Sequence, residues 1–178
     1  QIDSFSVKGQ SVKMSESDYH PTWQTMTLSK PLLPHDSIDI SLVWHYEVSL
    51  ESNREGMIDS TSWFLAYCYP RISVFDDCDG WDRLDFTDLQ EFYSDFNDYT
   101  LTVNAPKNYI VWSTGVLQNA DEVLQPKYAQ RLKNSMLTDS VTHIATTTDL
   151  AAKNVTAQNA VNAWKWKASY VPDVTFAL

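Results

Sequence analysis

The sequence predicts an all-β fold, an antiparallel β-sandwich or saddle-like sheet with one short helix. Three observations support this class: one long stretch of alternating apolar and polar residues, short β-prone segments separated by turns, and a high aromatic content. The 178 residues include seven Trp, nine Tyr and seven Phe, and aromatic side chains favour sheet faces. Short strands with turns between them are typical of sandwiches and barrel-like sheets. We expect a single β domain over residues 1–178, which is long enough to bury a substantial core.

The strongest periodic signal lies in residues 37–49, where apolar and polar residues alternate. A period of two places alternate side chains on opposite faces of a strand. The segment therefore predicts a long antiparallel strand with one solvated face and one face in the core. The predicted core face consists of Ile38, Ile40, Leu42, Trp44, Tyr46 and Val48.

The remaining elements follow from shorter patterns. Further strands are predicted at residues 23–28, 63–69, 99–103, 109–113, 141–146 and 161–170. Residues 31–36 should form a connector, because two prolines remove backbone donors and disfavour helix before them. Residues 104–108 are typical of a hairpin loop between two strands. Pro126 is predicted to begin the one helix, since Tyr128, Leu132 and Met136 recur at four-residue spacing behind it.

Charge and cysteine content exclude several classes of protein. Lys and Arg number 13 against 23 Asp and Glu, a formal charge of −10, which disfavours nucleic acid and anionic membrane surfaces as partners. No apolar stretch approaches the roughly 18 to 20 residues of a spanning helix. Cys68 and Cys78 are too few for a disulfide scaffold or a four-cysteine zinc site. They are expected to be buried free thiols or, alternatively, to form a local disulfide.

The acidic loop at residues 76–82 is the first candidate for a cation site. If Asp77 is position one of an EF-hand, Trp81 and Arg83 fall at positions five and seven, and no glutamate stands at position twelve. Calcium binding is therefore the less favoured interpretation. A solvated turn, in which Asp side chains accept hydrogen bonds from nearby backbone amides, is the preferred one.

No catalytic residue and no metal ligand set is predicted from the remaining motifs. The four histidines are far apart, and none has His-Glu-x-x-His spacing; each is expected to be exposed or hydrogen-bonded. Gly-x-Ser-x-Gly and phosphate-binding Gly-Lys-Ser/Thr motifs are missing. Glu91 and its acidic neighbours resemble paired carboxylates, but a solvated rim is the simpler interpretation. The sequon at Asn154 matters only in a eukaryotic secretory setting.

One segment resembles a known family. Residues 63–81, WFLAYCYPRISVFDDCDGW, are similar to the N-terminal β domain of aminopeptidase N-like gluzincin metallopeptidases, in particular a bacterial branch. Residues 31–36, 100–115 and 164–173 resemble further pieces of that domain in the same order. The resemblance covers residues 23–118 and 160–178, with a weak middle. The positions that carry its motifs are Tyr69, Pro70, Asp76, Asp77, Gly80, Trp81, Glu91, Phe92 and Tyr93.

The resemblance implies a non-catalytic domain that packs on the catalytic domain of a zinc metallopeptidase and walls its active-site cavity. The implied partners are the chain's own downstream catalytic domain, which would hold the zinc, and the peptide substrate of the parent enzyme. It also suggests a periplasmic or cell-surface location in a bacterium. The segment at residues 164–173 leads into the catalytic domain in this family, so the chain is expected to be part of a longer protein. Alone, it should bind no cofactor, have no enzymatic activity and form at most a weak homodimer.

Tyr67 occupies the position at which the family carries a glutamine that binds the substrate amine. A tyrosine offers a hydroxyl and lacks the carbonyl acceptor of an amide, so this departure puts aminopeptidase specificity in question. The alternative role for Tyr67 is a packed sheet aromatic. The rival class for the whole chain is a carbohydrate- or protein-binding β-sandwich, in which Trp63, Trp81 and Trp112 form an exposed platform. A self-sufficient hydrolase that uses the acidic loop is a third class, and the least favoured.

Overall fold

A computed structural model describes residues 1–12, 20, 22–50, 55–87 and 93–178. The predicted class is confirmed in its main feature, because the chain is mainly β, with 34% strand and 12% helix, and its strands pair antiparallel. The described strands are β1 (Ile2–Val7), β2 (Gln10–Ser11), β3 (Ile40–Trp44), β4 (Gly56–Asp59), β5 (Ser62–Leu65), β6 (Phe75–Asp76), β7 (Gly80–Trp81), β8 (Asn97–Pro106), β9 (Trp112–Ser113), β10 (Val116–Leu117), β11 (Val161–Val171) and β12 (Phe176–Ala177). The described helices are α1 (Ala120–Val123), α2 (Pro126–Ser135) and α3 (Thr147–Ala151).

The described residues form two compact units that alternate along the chain. The first unit comprises Gln1–Val48 and Tyr69–Ser94, and the second comprises Ser49–Cys68 and Asp95–Leu178. The expectation of one domain over residues 1–178 stays a prediction.

The first unit contains a three-stranded sheet, in the order β2-β1-β3, and the β6–β7 hairpin. The β1–β2 turn places Lys8 and Gly9 at φ values of 49° and 75°, as expected for the central residues of a two-residue hairpin turn with left-handed geometry. Burial in this unit is sparse. Val74, 5% exposed, is the one buried side chain among the residues that the structure describes there.

The second unit contains the main core. One of its sheets has the order β10-β11-β8 and the other has the order β4-β5-β12-β9. The long strands β8 and β11 pair in register, with Trp164 opposite Val103 and Trp166 opposite Leu101. The core cluster consists of Val103, Ala105, Val111, Val123, Leu124, Tyr128, Ala129, Val155, Trp164 and Trp166. The alternation of residues 161–168, which buries every second side chain of β11, supplies a large part of its apolar area.

The core lies elsewhere than the sequence pattern at residues 37–49 predicts. Strand β3 is shorter than expected, and its even positions are the more buried ones, as predicted. Ile38, Ile40, Leu42 and Val48 are only half-buried, and Trp44 and Tyr46 are 38% and 40% exposed. None of the six belongs to the core cluster, so the prediction that this face forms the core is wrong. An alternating pattern predicts which face of a strand is the less solvated one. It does not predict which of several amphipathic strands packs against enough other residues to be buried.

Several predicted elements differ in detail. The helix that begins at Pro126 is confirmed as α2, but α1 and α3 add two more, so the prediction of one helix is wrong. Residues 141–146 precede α3 and form no strand, and neither do residues 23–28. Residues 104–106 belong to β8, which pairs with β11, whereas β9 pairs with β12. The turn at residues 106–109 therefore links two sheets and closes no hairpin.

Candidate functional site

The β6–β7 hairpin organises the acidic loop. Phe75 pairs with Trp81 and Asp76 with Gly80, with residues 77–79 between them. The Asp76 Oδ1 atom accepts hydrogen bonds from the backbone N–H groups of Cys78 (2.9 Å) and Asp79 (2.7 Å). Gly80 has φ +76°, a left-handed conformation that a side chain disfavours. The predicted turn, held by an Asp side chain on local amides, is therefore confirmed.

A groove of about 460 Å³ lies beside this hairpin, within the first unit. Four carboxylates line it at three-residue spacing, together with the guanidinium of Arg83, so the formal net charge of the lining is −3. Leu84, Phe86 and the hairpin Gly80 complete the lining with Trp81 and Tyr93. The aspartates are Asp76, Asp79, Asp82 and Asp85.

Hydrogen bonds from outside the hairpin fix the segment after β7. The Asp82 N–H donates to the Val74 carbonyl (2.8 Å), which extends the hairpin by one pairing. The Thr22 hydroxyl donates to Asp85 Oδ1 (3.0 Å) and accepts from the Phe86 N–H (3.0 Å). One threonine thus fixes two consecutive lining residues. Because the Thr22 hydroxyl bonds only the Oδ1 atom of Asp85, the carboxylate can accept further hydrogen bonds.

The apolar side of the groove is aromatic and solvated. Trp81 is 50% exposed and Tyr93 is 57% exposed. The Phe75 ring meets Trp81 edge to face, with centroids 5.2 Å apart, so this contact leaves much of the indole uncovered. The one cation of the lining, Arg83, lies 5.8 Å from the centroid of the Trp23 ring, a distance that allows a cation–π contact.

The structure brings together some of the positions that carry the motifs of the resemblance. Asp76, Gly80, Trp81 and Tyr93 all line the groove, whereas Asp77 is exposed next to it and is not among the lining residues. Glu91 and Phe92 lie outside the described residues.

Two further motif residues, Tyr69 and Pro70, are half-buried at the start of the segment that leads to β6. Arg71 follows them, and its guanidinium donates to the Ser94 hydroxyl (2.5 Å). This hydrogen bond ties the Tyr-Pro segment to the residue after Tyr93, so these two motif positions support the groove rather than line it.

Tyr67 belongs to the second unit and follows β5. Its φ of +54° is in the left-handed region, which is uncommon for an aromatic residue and costs conformational energy. The side chain is 36% exposed. Tyr67 lies outside the strands and is partly solvated, and both roles considered for it stay predictions.

The trio Asp76, Asp77 and Cys78 has its potential ligand atoms within 4.8 Å of one another. Histidine or several cysteines dominate zinc sites, and Ca²⁺ takes six to eight oxygen ligands. One Asp76 oxygen already accepts two backbone N–H groups. The trio therefore fits neither zinc nor calcium.

Both cysteines are thiols, and they form no disulfide with each other, so the alternative of a local disulfide is wrong. Cys78 is exposed, so its predicted burial is wrong as well. Cys68 is half-buried, and burial raises the pKa of its thiol.

Trp63 and Trp112, two of the three residues of the predicted tryptophan platform, lie on opposite faces of one sheet. Trp112 and Phe64 both pair with Ala177 and share one face of their sheet, because directly paired residues point to the same side. Trp63 precedes Phe64 and therefore points to the other face. The exposed Trp112 and the half-buried Trp63 cannot offer coplanar rings to one ligand.

Sequence reasoning missed the second half of the groove lining, Arg83 to Phe86. A usable signal was present, because aspartates recur at every third position from Asp76 to Asp85. In a strand, a spacing of three residues would place successive aspartates on opposite faces. In a helix of this length, it would spread the four aspartates over half of the circumference, so neither regular element would gather them. The spacing becomes informative only when the chain is known to turn back between β6 and β7.

Comparisons with protein-family models, with curated proteins and with solved structures found no match. Among the described residues no helix has the length and apolar character needed to cross a bilayer.

Proposed function

We propose that this chain is a non-catalytic β domain of an aminopeptidase N-like zinc metallopeptidase, which packs on the catalytic domain and walls its active-site cavity. The observation that carries the proposal is the convergence of motif residues. Four positions chosen from the resemblance alone, Asp76, Gly80, Trp81 and Tyr93, line a single groove. Asp76, Gly80 and Trp81 belong to one hairpin, and Tyr93 reaches the same groove from further along the chain.

Exposed apolar side chains support docking to a further domain. In the first unit Leu33, Ile72 and Leu84 are 64%, 69% and 67% exposed. Single exposed apolar residues are ordinary, but many of them in a small unit are typical of a surface that another protein or domain covers.

We propose that the second unit is a β-sandwich. Phe176 and Leu178 from the β12 end pack against the core cluster that Trp164 and Trp166 of β11 build. Two sheets that share one apolar core are the basis of a sandwich. Tyr67 belongs to this second unit, and its left-handed backbone conformation suits a position constrained by function.

The test is the gene product that contains this chain. Its reading frame should continue past Leu178 into a domain that carries His-Glu-x-x-His and a downstream Glu, the ligand set of such zinc peptidases. The full product should hydrolyse peptide reporters, and Tyr67→Gln should lower KM for substrates with a free amino terminus. A frame that ends near Leu178, or one that continues without the zinc ligands, contradicts the proposed function.

A further inference from the structure

We propose that the groove beside the β6–β7 hairpin binds the guanidinium or ammonium side chain of a basic peptide segment. The inference goes beyond the proposed function and needs only the groove, so it can be tested on this chain alone.

Charge is the first argument. Four carboxylates and one guanidinium line the groove, and the whole chain carries a formal charge of −10. The excess of negative charges in this depression creates a negative electrostatic potential, which attracts a cation and repels an anion. The lining therefore selects for a positively charged group and against phosphate or acidic peptides.

The aromatic residues supply the second argument. Trp81 and Tyr93 are half-exposed at the groove, and a cation over the face of either ring gains a cation–π interaction. The groove's own guanidinium lies near the ring of Trp23, which is not a lining residue. The solvated rings of Trp81 and Tyr93 thus remain accessible to an incoming cation.

Size is the third argument. A volume of about 460 Å³ falls in the range of ligand-binding clefts, roughly 300 to 1,000 Å³. This is enough for one long basic side chain and part of its flanking backbone. A neutral saccharide would also stack on Trp81, but it would gain nothing from a net charge of −3, so a basic peptide is the favoured occupant.

The experiment is calorimetric titration of the chain with an acetylated, amide-capped pentapeptide that has arginine at its centre. The matched control peptide has citrulline, a neutral isostere, in place of arginine. The arginine peptide should bind at least about fivefold more tightly at low salt, and the difference should shrink as ionic strength rises. Equal binding of the two peptides, binding of neither, or binding of a neutral oligosaccharide alone would overturn the proposal.

Variants locate the site. Trp81→Ala should weaken binding about tenfold. Trp112→Ala removes a comparably exposed tryptophan in the other unit and should leave the affinity unchanged.

Asp79→Asn should weaken binding about two- to fivefold. Asp77→Asn changes an exposed neighbour that does not line the groove and should leave the affinity unchanged. The Asp79 and Asp77 variants keep the side-chain volume, so they decide the matter even if Trp81→Ala unfolds the hairpin. Equal effects of Asp79→Asn and Asp77→Asn would show general charge attraction and contradict a built site.

Discussion

At the scale of single residues, Asp149 is the most strongly held carboxylate of the described chain. Thr146 caps α3 and accepts from the Asp149 N–H (3.2 Å), while Asp149 Oδ2 accepts from the Thr146 N–H (3.0 Å) and hydroxyl (2.8 Å). The Tyr128 hydroxyl donates to Asp149 Oδ1 (2.8 Å). The hydrogen bonds from Thr146, then that from Tyr128, hold the pKa of Asp149 well below its usual range.

This lowered pKa predicts a pH-dependent stability. Because the folded pKa lies below the unfolded value of about 3.9, the stabilisation is fully present above that value and is lost as pH falls through the folded pKa. Asp149→Asn should lower the free energy of unfolding at pH 7, and the deficit should shrink below about pH 4. Urea melts across pH measure this. Exposed Asp139→Asn is the control, and a deficit that stays constant down to about pH 2 would contradict the account.

Burial ranks the tryptophans. Trp164 is 1% exposed in the core, whereas Trp44 is 38% exposed on β3. Trp164→Ala should cost about 3 to 5 kcal/mol, because it leaves a large cavity, and Trp44→Ala should cost about 1 kcal/mol. Chemical denaturation of both variants compares the costs, and an equal or reversed order would place the main core on β3 instead.

At the scale of elements, two glycines with positive φ differ in what surrounds them. Gly9 (φ +75°) has open space where a Cβ would lie, whereas a Cβ on Gly115 (φ +95°) would lie 2.7 Å from the Lys167 carbonyl carbon and 2.9 Å from the Ala168 Cβ. Backbone strain alone costs about 1 to 2 kcal/mol. Gly9→Ala should therefore lose about that much, and Gly115→Ala should lose about 3 kcal/mol or more, since the central strand β11 must shift.

Thermal melts of the two variants provide the measurement. A mild Gly115→Ala variant would show that β10 does not approach β11 as closely as the structure places it.

Elements whose signal is local can be predicted from the sequence, and those that depend on distant pairing cannot. Pro126 and the four-residue apolar spacing identify α2, and alternation identifies β11 almost to its ends. The prediction of a hairpin at residues 104–108 is wrong because a Pro-Lys-Asn turn has the same sequence signal whether it closes a hairpin or links two sheets. The pairing of β9 with β12 joins residues about 60 positions apart, and no local pattern encodes such a contact.

At the scale of the whole molecule, the two units differ in burial, and hydrogen exchange should show it. The amides of β11, which carries the buried Trp164 and Trp166, and those of its paired strand β8 should exchange most slowly. Amides of β1 and β3, in the unit where Val74 is the one buried side chain among described residues, should exchange sooner. Mass-spectrometric exchange on the intact chain measures both, and slower exchange in β1 and β3 than in β11 would contradict this ranking.

The candidate site could be predicted only in part, for a physical reason. The Asp76 turn follows from the preference of Asp for accepting nearby amides, and it needs no tertiary information. The groove requires Thr22 to reach Asp85 and Phe86, a contact across more than 60 residues that no spacing rule reveals. The weak homodimer of the isolated chain stays a prediction, which sedimentation velocity can check.

Metal content tests the central proposal most directly. The resemblance assigns zinc to a downstream catalytic domain, and the described residues offer only an exposed Asp-Asp-Cys trio unsuited to it. Elemental analysis after mild dialysis should therefore find no stoichiometric zinc in the 178-residue chain and one zinc per molecule in the full gene product. One tightly held zinc in the 178-residue chain, or none in the full product, would contradict the account.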